Sequence, residues 1–114
     1  MTKNEQREIN AQVLDVLGIL YSNSLWQSNR KQLRNCSAYV CDLYDNETGE
    51  VLYHVLTSYS TIVAVIDVRT DTLYDFLRYV YGYTSTSAQH ISKFEKDYSR
   101  GKWGCANVLR YYPV

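Results

Sequence analysis

Residues 61–68 read TIVAVIDV, and no charge interrupts the run before Asp67. A β-branched segment with so little polarity has to be covered on both faces. It suits a central strand, and a short buried helix fits the same periodicity. Whichever it is, the core gathers around it, and the surrounding stretch 55–94 supplies most of the remaining apolar side chains. That stretch holds no catalytic or cofactor motif, so residue chemistry alone names no reaction.

The segments on either side can be read from their spacing. From Cys36 onward the pattern alternates, with Cys36, Ala38 and Val40 on one side of a strand and Ser37, Tyr39, Cys41 and Leu43 on the other. Asp45, Asn46, Glu47, Thr48 and Gly49 are turn chemistry, with the glycine placed where a short hairpin loop needs a positive φ. Residues 50–57 should therefore return antiparallel to 37–44. Residues 73–81 carry two signals. Their aromatic content favours a strand, whereas Leu73, Phe76, Leu77 and Val80 fall at helical spacing, with Asp71 or Thr72 available as a cap. The reading taken for 72–81 is a helix after a short extended start.

Gly82 breaks that helix, and Thr84, Ser85, Thr86 and Ser87 then offer several N-caps. Of these, Thr86 with Gln89 forms a capping box. Ala88, Ile91, Phe94, Glu95 and Tyr98 continue as a helix to a left-handed stop near Gly101. Residues 105–112 read as a closing edge strand, with Pro113 blocking further pairing.

The start of the chain is helical. Thr2 with Glu5 is another capping box, and Ile9, Val13, Val16, Leu17 and Leu20 draw one apolar stripe. Gly18 interrupts the stripe and costs the helix about 1 kcal/mol relative to alanine, which suggests close packing against another element. Asn23 and Ser24 punctuate the chain. Leu25 and Trp26 then open a polar, basic segment running to Arg34 that fits either a short helix or an ordered loop. The architecture expected is α+β in one globular domain, residues 1–114. About four antiparallel strands form its sheet, packed on one face by the N-terminal helix and the helix over 86–99.

Composition limits the function. A chain of 114 residues, 46% of them hydrophobic and only one a proline, buries roughly two thirds of its unfolded surface and needs no staples. Three cysteines make no disulfide framework and fit a reducing compartment. No stretch approaches the ~20 apolar residues of a membrane span, and no leader pattern opens the chain. The net charge is zero but unevenly laid out: residues 1–34 carry a net +2, residues 35–89 a net −5 and residues 90–114 a net +3. Once folded, such a chain can present a basic side and an acidic side to a charged partner.

Enzyme chemistry finds little support. The bases His54 and His90 can be paired on paper with Cys41 or Cys105, and with Asp67 or Asp97 as orienting group, yet no spacing selects a trio. Cys36 and Cys41 lie an odd number of residues apart, on opposite faces of a regular strand, and cannot grip one metal ion together. No enzymatic activity, catalytic residue, metal or cofactor is expected.

A resemblance adds a second line. Ser58-Tyr59, Thr61, Val63-Ala64, Ile66-Asp67, Leu73-Tyr74, and above all YGYTSTSAQHISKF over 81–94 resemble a family of small uncharacterised proteins. These are encoded by bacteriophages and mobile elements of Gram-positive bacteria. The match spans residues 51–112 and leaves the first helix outside it. It implies an anti-CRISPR-like role in the host bacterial cytoplasm, as an inhibitor bound to a CRISPR effector nuclease.

Two Trp, twelve Tyr and two Phe exceed what one small core can hide. Trp26, Tyr44, Tyr79, Tyr81, Tyr83, Trp103, Tyr111 and Tyr112 are therefore expected partly in water, as rings that anchor protein interfaces. The partner-binding residues expected are Tyr81, Tyr83, His90, Lys93 and Lys96, together with Arg100, Lys102, Trp103, Tyr111 and Tyr112. The acidic Asp42, Asp45, Glu47, Glu50 and Asp75 suit a basic groove on the target. The leading expectation is a non-enzymatic protein-binding inhibitor. The alternative is a single-stranded nucleic-acid-binding accessory protein, because basic and aromatic residues interleave in the closing third. Self-association into a homodimer competes with both.

Overall fold

The computed structural model describes residues 1–21 and 26–114, with Trp26 described by its backbone alone. Helix α1 (Lys3–Tyr21) leads into the short strands β1 (Trp26–Gln27) and β2 (Lys31–Gln32), followed by β3 (Ala38–Tyr44), β4 (Val51–Ser58) and β5 (Thr61–Asp67). Then come β6 (Thr72–Asp75), the one-turn helix α2 (Leu77–Val80), helix α3 (Ser85–Tyr98) and β7 (Asn107–Arg110). One sheet runs in the order β1-β3-β4-β5-β6-β7, and β2 also pairs with β3. The α+β expectation holds: an N-terminal helix, a mostly antiparallel sheet, and a helix from the second half of the chain packed on that sheet.

Three finer expectations are corrected. The described residues form seven strands rather than about four, because the segment 26–34 carries two short strands along the edge of β3 and the extended start at 72–75 pairs as a third additional strand, β6. The sheet is mixed, since β7 runs parallel to β6 with Thr72 opposite Asn107 and Asp75 opposite Arg110. A parallel pair needs a long crossover, and α2 and α3 supply it. The helices also lie on opposite faces. Val13, Val16 and Leu17 of α1 pack with Cys41, Val55 and Val65, whereas Ile91 and Phe94 of α3 pack with Val40, Leu56 and Ala64. Val40 and Cys41 are neighbours in one strand and so face opposite ways. The cause lies in residues 61–68: a central strand apolar on both faces needs a cover on each.

Most local signals are in place. Glu5 N–H donates to Thr2 Oγ1 at 3.1 Å and Thr2 N–H returns to Glu5 Oε1 at 3.5 Å. Asp45 Oδ1 accepts the Glu47 and Thr48 amides, and Gly49 closes the turn at φ +73°. β3 and β4 pair antiparallel from Ala38 opposite Ser58 to Tyr44 opposite Val51. Over 72–81 the short extended start becomes β6 and the helix is α2.

Some local readings change. The cap of α3 is Thr84, whose Oγ1 accepts the Ser87 amide at 3.2 Å, and not Thr86. That helix stops at Tyr98, and Gly101, outside the positive-φ set, pairs in an isolated bridge with Gly104. Gly18 is exposed with open space where a Cβ would sit, so close packing does not explain it. The break at Asn23 and Ser24, Leu25, and the Trp26 side chain lie outside the described residues.

One feature had no sequence signal. Gln6 and Asn10, on the polar side of α1, are both buried. Gln6 Nε2 donates to the Arg110 carbonyl at 2.9 Å and Asn10 Nδ2 to the Tyr112 carbonyl at 2.7 Å, while Tyr112 N–H donates back to Asn10 Oδ1 at 3.1 Å. Two side-chain amides thus take the place of a further strand beside β7. They close the sheet edge that would otherwise offer unpaired backbone groups.

Candidate functional site

The site takes shape where β6 ends. Asp75 lies opposite Ala64 on one side and Arg110 on the other, on the face that α3 covers. Its Oδ1 accepts the Leu77 amide at 3.0 Å and starts α2, and its Oδ2 accepts from Arg110 Nε at 3.2 Å. Asp75 is buried, and burial raises its pKa even though the Leu77 amide and Arg110 pull it the other way. An acidic side chain sealed in this way faces no partner, which corrects its place among the outward-facing acids. Asp42 is likewise engaged, 2.6 Å from His54 Nδ1.

One turn later, α2 presents Arg78. Its guanidinium carbon stands 4.8 Å from the centre of the Tyr83 ring and 4.6 Å from that of Tyr112. Gly82, at φ +73°, ends the helical stretch and turns the chain toward Tyr83. Tyr79 meets Tyr111 edge to face, with ring centres 5.2 Å apart. Tyr79, Tyr81, Tyr83 and Tyr112 are exposed. Beneath Arg78 lies a cavity of about 120 Å³, walled by Asp75, Leu77, Tyr83, Ala88, Ile91, Ser92, Glu95, Arg110 and Tyr112.

A second exposed element is the loop over 99–106. Asp71 fixes it, accepting the Arg100 amide at 3.2 Å and the Ala106 amide at 3.0 Å, and Glu95 Oε2 accepts the Cys105 amide at 2.9 Å. A Cβ on Gly104 would sit 2.4 Å from that Glu95 oxygen, so the close approach requires glycine. Trp103 at the tip is 91% exposed, and the Lys102 ammonium lies 5.4 Å from its ring centre.

The expected partner-binding residues therefore separate into groups. Tyr83 and Tyr112 come together through Arg78 and Tyr111 packs on Tyr79, while Tyr81 is exposed without a ring contact among the described residues, and Lys102 and Trp103 form the separate loop tip. Lys96 is exposed and Lys93 half-buried on α3. The Arg100 guanidinium is taken up by the Val68 carbonyl. His90 is only 3% exposed: its Nδ1 lies 2.8 Å from Ser58 Oγ, which in turn lies 2.9 Å from Ser87 Oγ. It is held within the fold and offers a partner no surface.

The sequence reading missed Arg78, Tyr21 and Tyr59, the last two exposed. Nothing in local spacing ties Arg78 to Tyr112, and only the parallel docking of β7 joins them.

Among the described residues no hydrogen bond joins a thiol to either histidine. Cys41 is pushed up by burial, against the pull of Gln27. Cys105 is pushed up to about 12, by burial and by the neighbouring Asp71 and Glu95. Cys36 Sγ donates to the Leu33 carbonyl at 2.8 Å. Thiols with raised pKa values, as at Cys41 and Cys105, are poor nucleophiles. Among the described residues no three His, Cys, Asp or Glu side chains gather as metal ligands, and no helix is long and apolar enough to cross a membrane. The chain matches no protein-family model, no curated protein and no solved structure.

Proposed function

We propose that this protein works by binding another protein without chemistry of its own, and that its target is a host defence nuclease of the CRISPR-effector kind. The observation that carries the binding reading is the ring cluster at the end of α2. Tyr79, Tyr81, Tyr83 and Tyr112 face water, and Tyr83 and Tyr112 hold the Arg78 guanidinium between them. Tyr and Arg lose little side-chain freedom on docking when they are held beforehand, which is why such residues dominate interface energetics. The nuclease as target comes from the resemblance over 51–112. The exposed acids Glu47 and Glu50 on the β3–β4 turn suit a basic nucleic-acid groove on such a target.

The test is co-purification of the tagged protein with the effectors of its natural host, together with a cleavage assay on target DNA. The expected result is a stable complex and protected DNA. Both should weaken in Tyr83→Ala and Tyr112→Ala, each by about 1–2 kcal/mol of binding energy. Absence of any effector complex together with unprotected DNA would overturn the proposal.

The loop at Trp103 favours a second reading, single-stranded nucleic-acid binding. An indole almost wholly in water beside a lysine fits base stacking with phosphate contact. Fluorescence anisotropy with single-stranded and duplex oligonucleotides at two salt concentrations decides it. Micromolar binding that weakens steeply with salt supports this reading, and no binding at low salt removes it.

A further inference from the structure

The hydrogen-bonding groups around the cavity beneath Arg78 are engaged unequally. Asp75 uses both oxygens, one on the Leu77 amide and one on Arg110. Arg110 donates its Nε–H to Asp75, and Glu95 Oε2 accepts the Cys105 amide. Arg78 differs. Among the described residues its guanidinium donates to no protein acceptor; it lies 4.8 and 4.6 Å from two tyrosine ring centres and near enough to Asp75 to favour that carboxylate's charged form. A cation–π contact of this kind uses none of the N–H groups of the guanidinium fork on a hydrogen-bond acceptor. An arginine is ordinarily held in place by the acceptor it binds, but here two rings hold it and the fork stays open.

Only part of the lining is of the opposite character. Leu77 and Ile91 are buried and Ala88 lies beside them. A volume of about 120 Å³ is close to that of engineered cavities that take up a benzene ring, roughly 150 Å³. It is too small for a nucleotide. The charge of the walls restricts the ligand further, because Asp75 and Glu95 border the space and repel a second negative charge more strongly than a first.

We infer that this cavity is a binding site for a carboxylate carried on a compact apolar body, with Arg78 as the bidentate clamp and Leu77, Ala88 and Ile91 as the floor. The inference does not depend on the protein-docking reading, because a free organic acid and the carboxylate end of a peptide present the same chemistry. A planar monoanion matches the arginine fork, and its apolar body covers the floor.

The test is a titration of the ¹⁵N-labelled full-length protein followed by NMR, with benzoate, benzamide, N-acetylphenylalanine and inorganic phosphate as probes. Benzoate should shift the Arg78 Nε–H and the Leu77, Ala88 and Ile91 amides saturably, and neutral benzamide should not. Arg78→Gln should weaken benzoate by about tenfold or more, the loss expected when a charge-assisted pair is removed, with the dispersed amide spectrum of the folded protein retained. Tighter binding of N-acetylphenylalanine than of benzoate assigns the site to a chain terminus, and the reverse assigns it to a free acid. Equal shifts with benzamide, or saturation by phosphate without saturation by benzoate, overturn the inference. So does an Arg78→Gln variant that binds benzoate unchanged. The benzamide comparison uses the unmodified protein and stands even where the variant folds poorly.

Discussion

His90 shows how a single buried side chain leaves its mark on the pH response. Burial, assisted by the positive charge of Lys93, pulls its pKa below the ordinary 6.5. The folded state therefore holds the imidazole neutral, and the unfolded state takes the proton first. Its contribution to stability is intact above 6.5 and is lost as the pH falls from there toward the lowered folded value. For one proton the slope is at most ~1.4 kcal/mol per pH unit. A series of urea melts between neutral and mildly acidic pH should show this loss, and His90→Gln should flatten it. An unchanged slope in the variant would show that His90 does not titrate differently on folding. Ser58, fully buried between His90 and Ser87, is what makes the neutral form satisfactory.

Helices and strands were legible where their signals are local. Thr2 with Glu5, the Asp45 to Gly49 turn and Gly82 each act within a few residues, and each appears where its chemistry requires. The start of α3 was legible as a region but not as a residue. Four hydroxyl residues in a row all qualify as caps, and tertiary packing decided for Thr84 by burying Ser87 against Ser58. This choice can be tested directly. Thr84→Ala should lower stability by about 1 kcal/mol in denaturant unfolding. Thr86→Ala, exposed and outside the cap, should change it by a few tenths at most. A larger loss from Thr86 would restore the capping-box reading. What local signals could not supply is pairing at long range. Asp75 and Arg110 are 35 residues apart and Gln6 and Arg110 are 104 apart. Buried amides on a helix look, in sequence, like any polar face. The candidate site depends on these distant pairings, so the exposed rings were anticipated and the arginine they surround was not.

For the whole molecule the two edges of the sheet differ. One edge is broken into β1 and β2, and the other is closed by the side chains of α1. Asn10→Leu keeps the bulk but removes the partner of both the Tyr112 amide and carbonyl. It should cost about 1–3 kcal/mol and leave an open strand edge. Light scattering should then show association that grows with concentration, which the unmodified protein should lack. Stability and scattering both unchanged would mean that the amides of α1 do not guard the edge.

The same pair of amides has a consequence for biosynthesis. Their acceptors stand 104 and 102 residues further along the chain, so until those residues are synthesised helix α1 carries two amides without their final partners. A nascent chain halted before residue 107 should therefore hold that helix only by its apolar stripe.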